Sequence, residues 1–211
     1  RLIDRAGLGS NDVVVAIRND FMASFENILQ LLPGTKSVAV VVGASPLEKF
    51  WVEEVKRELK PLDGRVELVW YSDLSFEEIL RRASKLPPET VLFWGLMSVD
   101  AAGVVHESDI ALRSLHAVAN APIFSYQEPF FGDGPVGGPM HLIAETSSRT
   151  VRAAIGILGG AKPANINYET IGFSAPRYDW RELQRWGISE SRLPPDSQIL
   201  FREPNIWERY R

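Results

Sequence analysis

The sequence predicts an α/β protein, a doubly wound parallel sheet flanked by helices. Two observations carry that expectation. Four short apolar runs recur between Ser37 and Tyr126: SVAVVVG (37–43), VELVWYS (66–72), TVLFWG (90–95) and PIFSY (122–126). Between consecutive runs lies a helical pattern. Continuous apolar runs mark strands buried on both faces, and their alternation with helices marks a parallel sheet covered on both sides.

The elements follow in order. Asp12–Ile17 (DVVVAI) reads as a strand. A helix opens at Asp20, sets Phe21, Phe25, Ile28, Leu29 and Leu32 on one face, and stops at Pro33-Gly34. After the strand at 37–43, Ser45-Pro46-Leu47-Glu48 forms a capping box with proline at the first helical position. Leu47, Phe50, Trp51, Val55 and Leu59 supply that helix's apolar stripe. Asp63-Gly64 turns the chain into the strand at 66–71. Ser75-Phe76-Glu77-Glu78 is a second capping box, backed by Phe76, Ile79, Leu80 and Ala83. Pro87-Pro88 precedes the strand at 90–95. A connection, Leu96–Glu107, leads to a helix over 108–119 and the strand at 122–126. Gln127–Pro139 holds glycines 132, 134, 137 and 138 and prolines 129, 135 and 139, and reads as a mobile loop or crossover. A helix over 141–158 ends at Gly159-Gly160. A short helix at 179–186, a short strand at 198–201 and an amphipathic tail, Asn205–Arg211, complete the chain.

Composition removes whole classes of function. A net charge of −4, with no clustering of Lys and Arg, argues against a nucleic-acid partner. Zero cysteines exclude disulfides, thiol nucleophiles and thiolate metal sites. The sequence holds no apolar run of membrane-spanning length. His106, His116 and His141 share no metal-ligand spacing, so no metal is expected. No phosphate-binding GxxxxGK[ST] loop and no GxSxG elbow occurs. The strands at 37–43 and 90–95 end in Gly-Ala-Ser and Gly-Leu-Met, not in the acid a phospho-receiver needs. GDGPVG (132–137) matches GxGxxG in letters, but it follows Tyr126 by six residues and Pro135 removes a backbone donor. No cofactor is expected.

Ligands bind beyond the carboxyl ends of strands in such sheets. The residues there are Ala44 and Ser45, then Tyr71, Ser72 and Asp73, then Leu96 and Met97, and last Tyr126, Gln127, Glu128 and Phe130. These eleven are the candidate ligand residues. They supply hydroxyls, an amide, carboxylates and rings, without a convergent catalytic set. Binding without turnover is therefore expected, with enzymatic use of the sheet as a competing reading.

NDVVVAIRNDF, NILQLLPGTKSVAVVVGASPLE and APIFSYQEPFFGDGPVGG together resemble the type I periplasmic-binding fold, in the ABC-transporter-like substrate-binding branch. The stretch APRYDWRELQRWGISESRLPPDSQILFREPNIWERYR resembles the membrane-proximal end of sensor regions in bacterial histidine kinases. The resemblance implies two lobes hinged over a cleft, with an amino-terminally shortened chain here. It divides the chain into a crossover (1–19), an α/β lobe (20–126), a hinge loop with a return helix (127–178) and a membrane-proximal segment (179–211). Ala16, Ile17, Arg18 and Pro129 are the expected hinge. The implied function is an extracytoplasmic, periplasmic small-molecule sensor of two-component signalling, closing on its ligand. Its parent would be membrane-anchored, and sensors of this kind often pair as homodimers. The alternative is a solute-binding protein of an ABC transporter.

Overall fold

Four parallel strands organise the larger part of the chain. The structure is a computed structural model and describes residues 9–166 and 169–202. The expected tail, 205–211, lies outside the described residues. Strands β1 (Ser37–Val42), β2 (Glu67–Trp70), β3 (Thr90–Leu96) and β4 (Ile123–Phe124) form a sheet in the order β2-β1-β3-β4. All three pairings are parallel, with Ser37 opposite both Glu67 and Thr90. The predicted parallel sheet flanked by helices is thus present.

Alternation along the central strands splits the core in two. Val38, Val40 and Val42 of β1 face one cluster with Val91 and Phe93 of β3. Helices α1 (Phe21–Leu31) and α2 (Pro46–Glu58) cover this cluster through Phe25, Ile28, Leu31, Val52 and Val55. Ala39 and Val41, with Leu92 and Trp94, face the other cluster. Helices α3 (Phe76–Ala83) and α4 (Ser108–Val118) close it through Ile79, Ala83, Leu112 and Leu115. A period of two in a doubly covered strand makes both alternating sets apolar, which is why these strands read as continuous runs.

The sequence predicted the helix caps, with two departures. Ser45 and Glu48 form a complete capping box on α2. Ser75 caps α3, but the Glu78 carboxylate turns instead to Arg81 and Arg82. Those two guanidiniums hold its pKa down to about 2. The expected α2 stripe is also shifted. Leu47 and Phe50 are exposed, at 53% and 38%, while Glu48 is buried. Val52, Val55 and Leu59 are buried in the core, and Trp51 packs against it partly buried.

A second, three-stranded sheet belongs to the same unit. Strand β5 (Gly137–Gly138) pairs antiparallel with β6 (Arg177–Asp179), and β6 pairs parallel with β7 (Gln198–Leu200). Tyr178 is fully buried and its hydroxyl accepts a 2.6 Å hydrogen bond from Asn27 Nδ2. Burial pushes that phenol up to about 12. Asp179 caps α6 (Trp180–Arg185), which contributes Leu183 to the core. Gly134 and Gly137 of the glycine-rich stretch, expected as a mobile loop or crossover, pack closely here. A Cβ on Gly137 would lie 2.0 Å from the Arg177 carbonyl oxygen, and one on Gly134 2.6 Å from the His116 ring. Both glycines have positive φ and are there for close approach.

Compactness divides the chain into two units, 1–20 with 141–174 and 21–140 with 175–211. The crossings fall at 20/21, 140/141 and 174/175. In the smaller unit Ile17 makes a parallel bridge with Ile171, flanked by Arg18 N–H to Ile171 O and Ile171 N–H to Ala16 O, both 2.9 Å. The predicted strand at 12–17 is reduced to that bridge. Ala16, Ile17 and Arg18 therefore sit in this pairing, and Pro129 sits in a 3₁₀ turn of the larger unit. Helix α5 (Ile143–Leu158) is the smaller unit's main element. Among the described residues no helix is long and apolar enough to cross a membrane.

Candidate functional site

The strand order places the topological switch point between β1 and β3. The chain leaves β1 toward β2 and leaves β3 toward β4, so the two exits diverge and open a crevice. A bulge sharpens it. Val41 pairs with Trp94 and Val42 with Leu96, leaving Gly95 extra. A Cβ at Gly95 would meet Val42 at 2.9 Å. The displaced Gly95 carbonyl accepts a 2.6 Å hydrogen bond from Gln127 Nε2.

Two buried carboxylates set the shape of this edge. Glu48 Oε2 accepts from Ser45 N–H at 2.9 Å, and its Oε1 accepts from Ser98 N–H at 2.6 Å. One side chain thereby ties the turn after β1 to the loop after β3. Gly43 is required beside it, because a Cβ there would lie 2.5 Å from Glu48 Oε1. Asp100 gathers the β3 loop itself. Its Oδ1 accepts from Ala102 and Val104 N–H, each at 2.9 Å, and its Oδ2 from Phe76 N–H at 2.9 Å. His106 Nε2 lies 3.2 Å from the same Oδ2. Burial pushes the Asp100 carboxyl up, but the backbone donors and His106 outweigh it and hold the group below its ordinary value.

Between these fixed loops lies a groove of about 590 Å³, in the size range of small-molecule sites. Ala44, Val52 and Val99 give it apolar walls; Lys49, Glu53, Lys56, Ser72 and Asp73 give it polar groups. Lys56 pairs with Glu53 at 2.9 Å and lies over the Trp70 ring. Among the described residues, the side chains of Lys49, Ser72 and Asp73 make no hydrogen bond or ion pair. The groove thus offers one cation, one hydroxyl and one carboxylate against an apolar wall. That set can orient a small molecule bearing both charges. It holds no nucleophile beside a base: His106 is engaged with Asp100, His116 with Glu182 and His141 with Asn19.

The eleven candidate ligand residues do not stay together. Ala44, Ser72 and Asp73 line the groove, and Ser45 caps α2 beside it. Tyr71, Met97 and Phe130 are buried in the second core cluster, and Leu96 packs against it. Tyr126 lies edge-on to Phe21 at 5.1 Å and stacked with Phe93 at 6.1 Å. Burial pushes its hydroxyl up to about 12. Gln127 is spent on Gly95, and Glu128 pairs with Arg177 at 2.9 Å. Trp94, another strand-exit aromatic, is fully buried. The sequence reading missed Lys49, Glu53 and Lys56. Their signal was the exposed i, i+4, i+7 face of α2, one turn beyond its cap.

No family model matches the sequence, and no curated protein matches it. Solved structures do. A substrate-binding protein with adhesive properties from Clostridium difficile, in a ligand-free open form, matches with a TM-score of 0.61 and 13% identity over 85% of this chain and 59% of its own. An ABC domain in complex with L-Trp from Streptococcus pneumoniae matches with a TM-score of 0.58 and 19% identity, covering 84% and 59%. A conserved domain protein from Vibrio cholerae matches at 0.57 and 17%, covering 83% and 58%. At these identities the likeness shows the fold. This chain spans less than two thirds of each of those chains.

Proposed function

We propose that this chain binds a small zwitterionic molecule, of the amino-acid class, in the groove at the carboxyl end of its parallel sheet. The observation that carries the reading is the unpartnered set Lys49, Ser72 and Asp73 at a switch-point groove. Lys49 would meet a carboxylate, Asp73 an ammonium group, and the wall of Ala44, Val52 and Val99 the apolar remainder. The L-Trp held by one protein of the same fold agrees with that class. Thermal-shift measurements across the amino acids and their derivatives test it. A true ligand at a hundred times its dissociation constant adds about 2.7 kcal/mol of stability. Lys49→Gln and Asp73→Asn should each weaken that ligand about tenfold or more, the loss of a charge-assisted contact. No stabilising compound, or one whose affinity ignores both substitutions, ends the proposal.

We infer further that the binding region serves a periplasmic sensor of a two-component histidine kinase. The resemblance of residues 175–211 to the membrane-proximal end of such sensors supports this. Ligand preference for a closed arrangement would supply the signal. In the intact receptor, ligand should change the distance between labels at residues 60 and 155 and alter kinase autophosphorylation. Ligand-dependent uptake through an ABC transporter, with autophosphorylation unaffected, would instead establish the solute-delivery alternative.

A further inference from the structure

We propose a second small-molecule site, at the amino end of the parallel sheet, for a compound with an apolar body and one carboxylate. It stands apart from the zwitterion reading, which concerns the carboxyl end. The six residues of β1 separate the two ends, about 20 Å at the rise of a strand.

The site is a groove of about 520 Å³, within the small-molecule range. It is lined by the turns that lead into β1 (32–35), β3 (86–89) and β4 (120–122), together with Trp186 and Arg192. Val91 and Ala121, both buried, form its floor, and exposed Arg192 stands at its rim.

Its walls are preformed. Pro33, Pro87, Pro88 and Pro122 each fix one backbone dihedral. Glu89 adopts a φ of 63°, a left-handed conformation that is costly for a non-glycine residue. In that conformation its carbonyl accepts from Lys36 N–H at 2.8 Å, which clamps the β1 turn to the β3 turn. Asn120 clamps the β4 turn to the β3 turn. Its Nδ2 donates to Leu86 O and its Oδ1 accepts from Leu86 N–H, both at 3.0 Å. Arg192 Nη1 donates to Leu31 O at 3.1 Å, and Gln30 Nε2 donates to Arg192 O at 3.2 Å. A preformed groove loses little ordering entropy on binding.

The groups left over set the chemistry of the ligand. Thr35 Oγ1 is engaged with Leu32 O, Thr90 Oγ1 with Ser37 Oγ, and the Glu89 carboxylate with Lys36. Trp186 gives its indole N–H to Glu182, so it offers the groove ring carbon. Arg192 differs from these. Its neighbour Glu190 is taken by Arg202 at 2.8 Å, and among the described residues Arg192 has no ion pair. A guanidinium with donors to spare, beside prolines and an indole, selects a carboxylate on an aliphatic or aromatic body. The ammonium group of an amino acid would meet no unpaired acid here, because Lys36 already holds Glu89.

The test follows the indole N–H resonance of Trp186 by NMR, assigned by its loss in Trp186→Phe. The probes are hexanoate, phenylacetate and cinnamate, each compared with its corresponding primary alcohol. At least one carboxylate should shift the Trp186 resonance saturably and bind roughly tenfold or more tightly than its alcohol. Arg192→Gln removes the charge and retains an amide donor. It should abolish that preference while the other indole resonances stay in place, which shows the fold intact. No saturable shift with any probe overturns the proposal, as does an alcohol that binds as well as its carboxylate. Loss of the preference in Lys49→Gln rather than in Arg192→Gln also overturns it, by placing the carboxylate in the other groove.

Discussion

Helices α1 and α5 carry the same kind of amphipathic pattern and are housed differently. In α1, Phe21, Phe25, Ile28 and Leu31 are all at most 3% exposed, because β1 and β3 lie beneath them. In α5, no large apolar side chain is buried. Local sequence therefore makes both helices, but only α1 draws stability from its stripe. Helix stability in proteins comes mainly from such packing, not from propensity.

Substitutions can break or sharpen this contrast. The largest effect is expected at Phe25, which packs 4.7 Å from Phe93. Phe25→Ala should cost about 3–5 kcal/mol in urea unfolding of the larger unit. A loss below 1 kcal/mol would show that α1 is not anchored as the structure has it. Tyr178→Phe comes next. It strips Asn27 Nδ2 of its acceptor, in a residue whose Oδ1 already lacks a partner among the described residues. Leaving a buried amide unpaired should cost about 1–3 kcal/mol.

Ser45→Ala removes the acceptor for Glu48 N–H and should cost about 1 kcal/mol. At the small end, Val151→Ala on α5 should change the stability of the 211-residue chain by less than about 0.5 kcal/mol. A loss approaching that of Phe25→Ala would mean that α5 is already covered, and the contrast would fail.

Acid provides a separate check on the groove's frame. The Asp100 carboxyl sits below its ordinary value in the folded state. A depressed folded-state pKa contributes stability that is present above the unfolded value and is lost as pH falls through the folded one. Asp100→Asn should therefore flatten the acid limb of the stability curve and leave the neutral-to-alkaline part unchanged in slope. An acid limb as steep as in the parent protein would place the titration elsewhere.

The layer structure was legible because period-two burial on both faces leaves an unmistakable mark in Val38–Val42 and Val91–Trp94. The α2 box was legible because capping is local. The site was less so. Every strand exit looks alike in sequence, since nothing local says whether Tyr71, Met97 or Phe130 turns inward to the core or outward to a ligand. The structure turns those three inward and leaves Ser72 and Asp73 at the groove. Glu48 shows the same limit. The sequence assigned it to a cap, and only the arrival of the β3 loop gave its second oxygen the Ser98 N–H.

By itself the sequence determined the alternation of strand and helix and the positions of the caps, both of which depend on neighbours a few residues apart. Tertiary structure alone decided the order β2-β1-β3-β4, the bulge at Gly95, the close approach at Gly137 and the unpartnered trio in the groove. The apolar residues Val151, Ile155 and Leu158 of α5 are exposed, although α5 is amphipathic like α1. A periodic pattern records which face of an element needs covering, and only a folded neighbour determines whether it is covered.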